Sequence, residues 1–298
     1  MKYACIARHL GEYAVRLMCR ALQVSPAGFY AAQHRLPSVR AQQDQRLRLA
    51  IRTAHAVSKR HGGAYGAPKI HADLCEQGLR CGKKRVARLM RLDGLRGCSR
   101  RRFRVTTESR HTLPIAANHL QRQFSVAVQR ERDRVWAADI TYFWTREGWL
   151  YLAVLLDVAS RRVIGWCADA GLDDSLTRRA LQQALRLRRP APGVLHHSDR
   201  GVQYASAAYR AILEQHGLTM SMSRKGDCWD NAVVESFFAI LKTELRPEGD
   251  RVWSTRQHAQ AALARYIDGW YNLQRRHSTL GYRSPYQYER DLARLRNA

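Results

Sequence analysis

Three acids, Asp139, Asp199 and Glu235, are the residues of this chain whose types and spacing could support catalysis. Asp139 interrupts an apolar strand-like run, Asp199 ends a second one, and Glu235 lies in a segment with helical periodicity. An isolated buried carboxylate costs several kcal/mol unless it is paired, protonated or bound to a metal ion. Three carboxylates that converge repel one another, and a divalent cation is the usual remedy. The sequence therefore predicts a magnesium-type catalytic site.

The segment around Glu235 places a lysine on the same face as the acid. Asn231, Glu235, Phe238 and Lys242 follow the spacing i, i+4, i+7, i+11 and form one helical stripe. A second stripe is apolar and is predicted to pack into the core: Val233, Phe237, Ile240 and Leu241. Facing a duplex, Asn231 and Lys242 would contact the DNA, the lysine at a phosphate, while the glutamate reached a metal ion. The alternative is an ordinary exposed Glu near a Lys on a surface helix.

The position of Asp139 favours the metal site, because its neighbours on the same strand face, Val135 and Ala137, are apolar. Two Asp from neighbouring strands and a Glu from an abutting helix can hold two Mg²⁺ about 3.5–4 Å apart, the spacing of two-metal phosphoryl transfer. One ion would activate the attacking oxygen and the other would stabilise the leaving oxygen. Ligands that are all hard oxygens favour magnesium over zinc.

Three further residues close to these acids have other expected roles. Asp157 ends the next strand-like run and is predicted to hold a turn beside Ser160 rather than a metal ion. His196 and His197 precede Asp199. For one of them we expect a supporting hydrogen bond or a phosphate contact, and for the other simple packing.

The composition points to a partner with dense negative charge. The chain has 298 residues, with 51 Lys and Arg against 25 Asp and Glu, a net charge of +26. Residues 1–133 hold 27 basic against 8 acidic residues (+19), and residues 134–298 hold 24 against 17 (+7). The front part therefore resembles an electrostatic nucleic-acid binder. The competing explanation, a GC-rich genome that favours Arg, leaves the scarcity of acids unexplained.

Cysteine spacing and hydropathy indicate where the protein works. Seven cysteines form no CxxC pair and are too few for a disulfide scaffold, so we expect reduced thiols and no zinc site. The longest apolar run, Trp149–Leu156, is far shorter than a membrane span. No apolar signal-peptide core stands near the N-terminus. A cytoplasmic, nucleoid-associated location without membrane contact is the prediction.

The N-terminal part is predicted to be helical and to bind DNA. Residues 1–36 form a small helical element, in which Gly11–Leu22 is one helix and Ser25-Pro26 starts another. Residues 42–96 form a helix-turn-helix-like DNA-binding region, and 97–133 a basic linker along phosphates. The predicted DNA contacts here are Lys83, Lys84, Arg85, Arg88, Arg101 and Arg102. A solvated basic face on a bundle helix is the alternative.

From residue 134 the pattern changes to an α/β arrangement with a mixed sheet. Three strand-like runs at 134–144, 149–157 and 162–169 predict an antiparallel meander, and alternating helices and strands follow up to the helix at 230–245. We expect the catalytic core at 134–246 and a helical extension at 247–298. Capping boxes at Ser254 and Ser284 start the helices of this extension. Between them a basic and aromatic loop offers Arg275, Arg276 and His277 to DNA.

The chain resembles the integrase-core transposases of the DDE superfamily. It is most similar to the second-reading-frame product (OrfB) of the third insertion-sequence family, relatives of retroviral integrases. The resemblance covers nearly the whole chain, including the 35-residue gap before Glu235 and the basic residue seven positions after it. The matching stretches are Tyr65–Ile70, Trp136–Tyr142, His197–Tyr204, Ser223–Phe237, Tyr271–His277 and Ser284-Pro285.

This resemblance implies a ribonuclease-H-like fold with Asp139, Asp199 and Glu235 as metal ligands and Lys242 on the element-end DNA. It implies Mg²⁺ as cofactor, with Mn²⁺ as a substitute. The implied reaction is hydrolytic exposure of a 3′-hydroxyl at the element end, then attack of that hydroxyl on another phosphodiester. The implied partners are double-stranded DNA, further copies of the chain and an upstream-frame product. Two other functions remain open: a DNA-binding accessory protein or inactive relic, and a structure-selective nuclease.

Overall fold

The computed structural model of the chain describes residues 2–98, 114–120, 131–224, 231–247 and 252–296. The chain divides into two units, Met1–Arg52 and Thr53–Ala298. The predicted domain boundaries remain a prediction, and much of the predicted basic linker lies outside the described residues. No helix in the described ranges is long and apolar enough to cross a membrane.

The first unit begins with three short helices, α1 (Lys2–Arg8), α2 (Val15–Ala21) and α3 (Pro26–His34). Ser25 caps α3 by accepting a hydrogen bond from the Gly28 amide at 3.3 Å, which confirms the predicted helix start. The helix predicted over residues 11–22 is shorter than expected, and α1 was not predicted. The helices bury a small core of Ile6, Cys19 and Phe29.

Three helices precede the sheet: α4 (Val39–Arg60), α5 (Ala67–Glu76) and α6 (Lys83–Leu92). Helices α5 and α6 match the predicted pair, and Gly78 in the turn between them has a φ of +80°. Their apolar stripes are buried at Ile70, Leu74, Val86, Leu89 and Met90. The helical periodicity of this region was therefore predicted correctly.

The core is a five-stranded mixed sheet in the order β3-β2-β1-β4-β5. The first three strands form the predicted antiparallel meander, whereas β4 runs parallel to β1 and β5 runs parallel to β4. The mixed α/β, ribonuclease-H-like fold class with a helical N-terminal region is confirmed. The strands are β1 (Val135–Thr145), β2 (Gly148–Asp157), β3 (Val163–Asp169), β4 (Leu195–Ser198) and β5 (Thr219–Met222).

Three helices contribute to the main core against the sheet: α7 (Asp174–Arg188), α8 (Val202–Ala205) and α9 (Ala207–Gln215). Helix α7 approaches β3 so closely that a Cβ on Gly165 would lie 2.2 Å from the Ala180 carbonyl oxygen. Glycine is therefore required there. The buried residues of this core include Trp136, Ala138, Leu155, Ile164, Leu176, Leu181, Tyr204, Tyr209 and Leu213.

Helix α10 (Ala232–Glu244) packs against β1, and α11 (Arg256–Ala264), a π-helical turn (Arg265–Tyr271) and α12 (Pro285–Arg296) follow. The predicted core stripe of α10 is buried, as expected. The capping box at Ser284 is confirmed, because Ser284 and Gln287 each bond the other's amide, at 3.2 and 3.0 Å. At α11 the cap is Thr255 rather than Ser254, with its hydroxyl accepting from the His258 amide.

Candidate active site

The parallel pairing of β1 with β4 brings Asp139 and Asp199 together. Val135 pairs with Leu195, and Ala137 with His197. Asp139 lies two residues beyond the last paired residue of β1, and Asp199 directly follows the last residue of β4, so both acids are near the same end of this strand pair. The negative charge of Asp199 acts on Asp139, which shows that the two carboxyl groups are close. Two acids separated by 59 residues in the sequence are thereby neighbours in the fold.

Asp139 carries the electrostatic signature of this juxtaposition. Burial raises the pKa of Asp139 well above its ordinary value, and the negative charge of Asp199 raises it further. The Ile140 amide, which donates to Asp139 Oδ1 at 2.8 Å, opposes this shift. Glu235 adds a smaller increase and Lys242 a smaller decrease. The ionised form of Asp139 is therefore disfavoured, and a bound cation would relieve that cost.

Glu235 lies in the first turn of α10, where its side chain is half-buried and burial raises its pKa. Its charge reaches Asp139, so the fold turns it toward the two aspartates. Within the described ranges, no group of three or more His, Cys, Asp or Glu side chains is close enough to hold a metal ion. Among the described residues, the three acids therefore do not form a closed three-ligand cluster.

Lys242 lies on the Asp139 side of α10, two turns after Glu235. Its Nζ is 4.8 Å from the ring centroid of Tyr142 and 5.8 Å from that of Phe143. Burial lowers the pKa of Lys242 to about 8, although the charge of Asp139 opposes the shift. The predicted pairing of a carboxylate and a lysine on one side of the helix agrees with these positions.

The residues that support the site are hydrogen-bonded inside the protein. The Gly201 amide donates to Asp199 Oδ1 at 2.9 Å, and a Cβ on Gly201 would lie 3.0 Å from that oxygen. Sequence reasoning gave Gly201 no role, although its position two residues after an acid is typical of a turn that orients a side chain. It is the functional neighbour that the prediction missed.

The two histidines beside Asp199 are fully buried. His196 Nε2 lies 2.8 Å from the Tyr209 hydroxyl, and burial lowers the pKa of His196 to about 3, which keeps it neutral. His197 lies between two hydroxyls, at 2.9 Å from Ser221 and 3.1 Å from Ser223. His196 therefore links β4 to α9 and His197 links β4 to β5, and the alternative of a phosphate contact does not fit their burial.

Asp157 has the predicted turn role. It accepts hydrogen bonds from the Ser160 amide, the Ser160 hydroxyl and the Asp133 amide, each at 2.7 Å. These bonds occupy the carboxylate at the turn between β2 and β3. Asp157 is therefore a structural acid.

Apart from Asn231 and Lys242, the predicted DNA-contacting residues fall into three groups. On α6, Lys83, Lys84 and Arg88 are exposed and Arg85 is half-buried, so this helix presents the expected basic face. Contact of this face with DNA stays a prediction. Arg101 and Arg102 lie outside the described residues.

The third group is buried, which corrects the prediction of a DNA-binding loop at residues 271–277. Arg275 donates from Nη2 to Glu244 Oε1 at 2.6 Å, Arg276 pairs with Asp73 and Glu76, and His277 is also buried. Buried guanidinium groups require carboxylate partners, and here the protein itself supplies them. This burial was not predictable from local sequence, because the partner acids lie far away along the chain.

Asn231 is the second correction. Its side chain is buried, and Nδ2 donates to the Ala138 carbonyl oxygen at 3.0 Å. Phe238, on the same predicted stripe, is buried as well. The amide of Asn231 therefore ties the start of α10 to β1, beside Asp139, and is not exposed for a DNA contact.

Models of known protein families match most of the chain. Two family models described as Integrase core domain match residues 129–228 and 216–285. A model described as HTH-like domain matches residues 42–103. The first two ranges cover the sheet, α10 and the C-terminal helices up to Pro285. The third covers most of α4 together with α5 and α6.

Solved structures with related folds come from retroviral integrases. The catalytic core of HTLV-2 integrase in complex with magnesium covers 52% of this chain and 95% of its own length, at 17% identity and a TM-score of 0.39. The simian T-cell lymphotropic virus intasome in complex with PP2A regulatory subunit B56 gamma covers 80% of this chain and 73% of its own, at 16% identity and a TM-score of 0.44.

Curated relatives match almost end to end. Transposase InsF for insertion sequence IS3A of Escherichia coli (strain K12) is 42% identical over 291 residues, 97% of this chain and 98% of the relative. The insertion element IS600 uncharacterized 31 kDa protein of Shigella sonnei is 42% identical over 268 residues, 90% and 96% of the two chains. This chain belongs to the IS3 family of integrase-core transposases.

Proposed function

We propose that the chain cleaves and joins DNA at the ends of an insertion sequence by divalent-metal-dependent phosphoryl transfer. Membership of the transposase family supplies the reaction class. The observation that supports the assignment of residues is the proximity of Asp139 and Asp199 near one end of the β1–β4 pair, where burial and the second negative charge raise the pKa of Asp139. Carboxylates whose charges disfavour each other in a cleft are typical of groups kept for a cation.

The residues present fit a magnesium ion. Asp139, Asp199 and Glu235 supply only hard oxygen donors, which Mg²⁺ prefers and Mn²⁺ also accepts. We propose the two aspartates as the main ligands and Glu235 as the third. Bound divalent ions would supply Lewis-acid stabilisation for the attacking and leaving oxygens. We propose two bound ions, because two-ion sites are typical of phosphoryl transfer.

The chain's own groups orient the reactants. The Ile140 and Gly201 amides fix one oxygen of Asp139 and of Asp199, respectively. The ammonium group of Lys242, close to Asp139, would bind a phosphate of the element end. The exposed basic face of α6 would bind the flanking duplex. These contacts position a phosphodiester at the aspartates without any covalent bond to the enzyme.

Two reactions of the same kind follow. In the first, the oxygen of water bonds to phosphorus as the bond to the 3′-oxygen of the element end breaks, which leaves a 3′-hydroxyl. In the second, that 3′-oxygen loses its proton and bonds to a phosphorus of the target strand, whose own 3′-oxygen leaves. Both steps exchange one P–O bond for another, so no oxidant or nucleotide cofactor is required.

We further propose double-stranded DNA as the substrate, both at the element ends and at the target. Two ends must meet for transposition, which favours several copies of the chain on DNA. An upstream-frame product is the proposed protein partner, and the bacterial nucleoid the proposed location. The net charge of +26 supports the polyanionic substrate.

The test is joining of labelled element-end duplexes by purified wild-type protein and by Asp139→Asn, with Mg²⁺ or Mn²⁺. We expect the variant to keep its DNA affinity and to lose joining by about 10³-fold, because a metal ligand contributes several kcal/mol to transition-state stabilisation. Asp169→Asn, at the end of β3, is the matched control and should join normally.

The products separate the alternatives. Equal joining by Asp139→Asn would reject the assignment of residues. Failure of the wild type to cleave with either metal would favour an accessory protein or an inactive relic. Hydrolysis without joined strands, read on a sequencing gel, would favour a structure-selective nuclease.

A further inference from the structure

Three large aromatic side chains are exposed together on the β1–β2 hairpin. Tyr142, Trp144 and Trp149 are 36%, 50% and 43% exposed. The ring centroids of Trp144 and Trp149 lie 4.7 Å apart, and those of Tyr142 and Trp149 4.9 Å apart, both edge to face. We call these three residues the aromatic patch. The aromatic patch belongs neither to the candidate active-site carboxylates nor to the main core, so neither explains why these rings are exposed.

Lys242 connects the aromatic patch to the candidate active site. Tyr142 and Trp144 follow Asp139 by three and five residues, so their side chains alternate to the opposite face of β1. Lys242 Nζ nevertheless lies 4.8 Å from the Tyr142 ring centroid, and its charge acts on Asp139. At about 3.3 Å per strand residue, Tyr142 is about 10 Å and Trp144 about 17 Å from Asp139 along β1. A DNA strand that ran along β1 from Asp139 would cover this distance in about three to five nucleotides, at about 3.4 Å per nucleotide.

The hairpin that carries the patch is rigid. Thr145 Oγ1 donates to the Gly148 carbonyl oxygen at 2.7 Å and accepts from the Glu147 amide at 3.2 Å. The Arg146 amide donates to the Trp253 carbonyl oxygen at 2.9 Å. A surface that is already ordered loses little conformational entropy when a ligand binds. These bonds prepare the rings as a fixed platform.

The charges around the patch favour a nucleic acid over an apolar protein surface. Arg146 is exposed in the turn, and Arg256 donates from Nε to the Trp149 carbonyl oxygen at 3.0 Å. The neighbouring acid, Glu147, accepts from the Arg256 amide at 2.8 Å. Three cations thus lie at the patch or in the hairpin turn beside it, with Lys242 over the Tyr142 ring, against the single acid Glu147. Aromatic rings interleaved with basic groups are the pattern of surfaces that bind bases and phosphates together.

We propose that the aromatic patch stacks an unpaired nucleobase of the DNA strand that is bound at the candidate active site. The inference rests on the proposed function, because it takes that strand as the ligand. The base must have left its stack, since the faces of bases inside a duplex are already covered. The patch would then favour ends that are frayed close to the reacting phosphodiester.

The test measures binding alone, in EDTA and at one fixed salt concentration. Two duplexes of identical length are compared, one fully paired and one with mismatched bases within five nucleotides of its end. We expect the wild type to prefer the mismatched end. Trp144→Ala and Trp149→Ala should each reduce this preference by about 5- to 150-fold, the range for one stacked base. Affinity for the paired duplex should not change.

Two control variants test whether the effect requires an aromatic ring and whether it is specific to the aromatic patch. Trp144→Phe keeps an aromatic face and should retain most of the preference, whereas a loss equal to that of Trp144→Ala would count against stacking. Tyr286→Ala, an exposed aromatic of the C-terminal extension, should leave the preference unchanged. A 2-aminopurine placed among the mismatched bases should be quenched by the wild type and not by Trp144→Ala or Trp149→Ala.

The outcomes distinguish this proposal from the proposed function. If the wild type joins no DNA yet its preference depends on the two tryptophans, the stacking site stands and the catalytic proposal fails. If joining proceeds and the Ala variants keep the full preference, the stacking proposal is overturned. It is equally overturned if the Ala variants turn a dimer into a monomer by light scattering without altering the preference, because the patch then contacts a second copy.

Discussion

Two acids, the partly exposed Asp139 on β1 and the buried Glu244 at the end of α10, have opposite electrostatic surroundings in the same fold. Burial alone raises the pKa of either residue. At Glu244 the hydrogen bonds and charge of Arg275 more than offset burial, so its pKa is lowered. At Asp139 the charge of Asp199 adds to burial, so its pKa is raised. The fold stabilises the ionised form of Glu244 and disfavours the ionised form of Asp139.

The contacts of Glu244 explain the difference. Its carboxylate accepts from the Tyr266 hydroxyl at 2.7 Å and from Arg275 Nη2 and Nε at 2.6 and 2.8 Å. Glu289 forms ion pairs with Arg162 and Arg188 in the same way, and its pKa is also lowered. At Glu244 and Glu289 the chain thus pairs a structural acid with arginine, whereas the structural acid Asp157 is held by hydrogen bonds and keeps a raised pKa. What distinguishes Asp139 is a second carboxylate beside it, and a carboxylate whose neighbour has the same charge is typical of a functional site.

Glu244 also joins three parts of the second unit. Gly62 and Gly63 pack against its backbone and side chain, and the His61 ring stacks on Trp270 with centroids 4.2 Å apart. Arg276, next to Arg275, pairs with Asp73 and Glu76 of α5. We call the group of Glu244, Arg275 and Tyr266 the Glu244 clamp. It connects the helix that carries Glu235 and Lys242 to the helical region before the sheet.

The largest expected effect comes from breaking the Glu244 clamp. Glu244→Gln leaves the buried guanidinium of Arg275 without its counter-charge, and loss of one partner of such a pair costs about 3–5 kcal/mol. We expect the free energy of unfolding in urea to fall by that amount. Glu214→Gln, an exposed acid in α9, should change it by less than about 0.5 kcal/mol. Equal stability of the two variants would show that the clamp does not hold the fold.

The pH dependence of that loss has a definite sign. The pKa of Glu244 is lowered in the folded protein from an ordinary value of 4.5. Its stabilisation is therefore complete above that value and disappears as pH falls through the folded pKa. The difference in unfolding free energy between wild type and Glu244→Gln should be constant near neutral pH and shrink below about pH 4.5. A difference that grows on acidification would contradict the pairing with Arg275.

A smaller effect should follow from crowding the same clamp. Gly62 and Gly78 have nearly equal φ angles, +79° and +80°, so alanine is equally strained at both. A Cβ on Gly62 would lie 1.5 Å from the Glu244 carbonyl oxygen, whereas one on Gly78 meets nothing within 4 Å. Overpacking typically costs about 1–3 kcal/mol. We expect Gly62→Ala to be less stable than Gly78→Ala by that amount in urea unfolding.

This pair of variants also separates two causes. Backbone strain alone would make the two variants equally unstable. Equal instability would show that the close approach of Gly62 to Glu244 does not contribute to the loss. A larger loss at Gly62 would confirm that the end of α10 needs an unobstructed contact with the Gly62-Gly63 turn.

The same contrast explains which features were predictable from the sequence. Periodicity and capping are local, so the three-strand meander, the stripe of α10 and the cap at Ser25 agree with the structure. Pairing across long separations leaves no local trace. The partners of Arg275 and Arg276 therefore could not be inferred, and a basic segment that looked exposed is buried.

The candidate site itself was predictable in part. An acid inside an apolar strand conflicts with local preference, and such conflicts mark functional sites, so Asp139 and Asp199 could be identified as a pair. Their proximity depends on the parallel register of β1 and β4, which the sequence did not specify. The role of Asn231 depends on a carbonyl group of β1 and was not visible either. Residue types that suggest catalysis were easier to predict than the hydrogen bonds that position them.

The smallest expected effect is the most informative about the aspartates, because its sign should be opposite to that at Glu244. In EDTA at pH 7, Asp139→Asn removes a charge that burial and Asp199 disfavour. The free energy of unfolding should therefore stay equal to that of the wild type or rise by up to about 1 kcal/mol, since solvent screens a partly exposed group. Added Mg²⁺ should then stabilise the wild type, by about 2.7 kcal/mol at 100 times its Kd, and should stabilise the variant less. If Asp139→Asn were instead as destabilising as Glu244→Gln, Asp139 would be a structural acid like Glu244, and the contrast between the two would disappear.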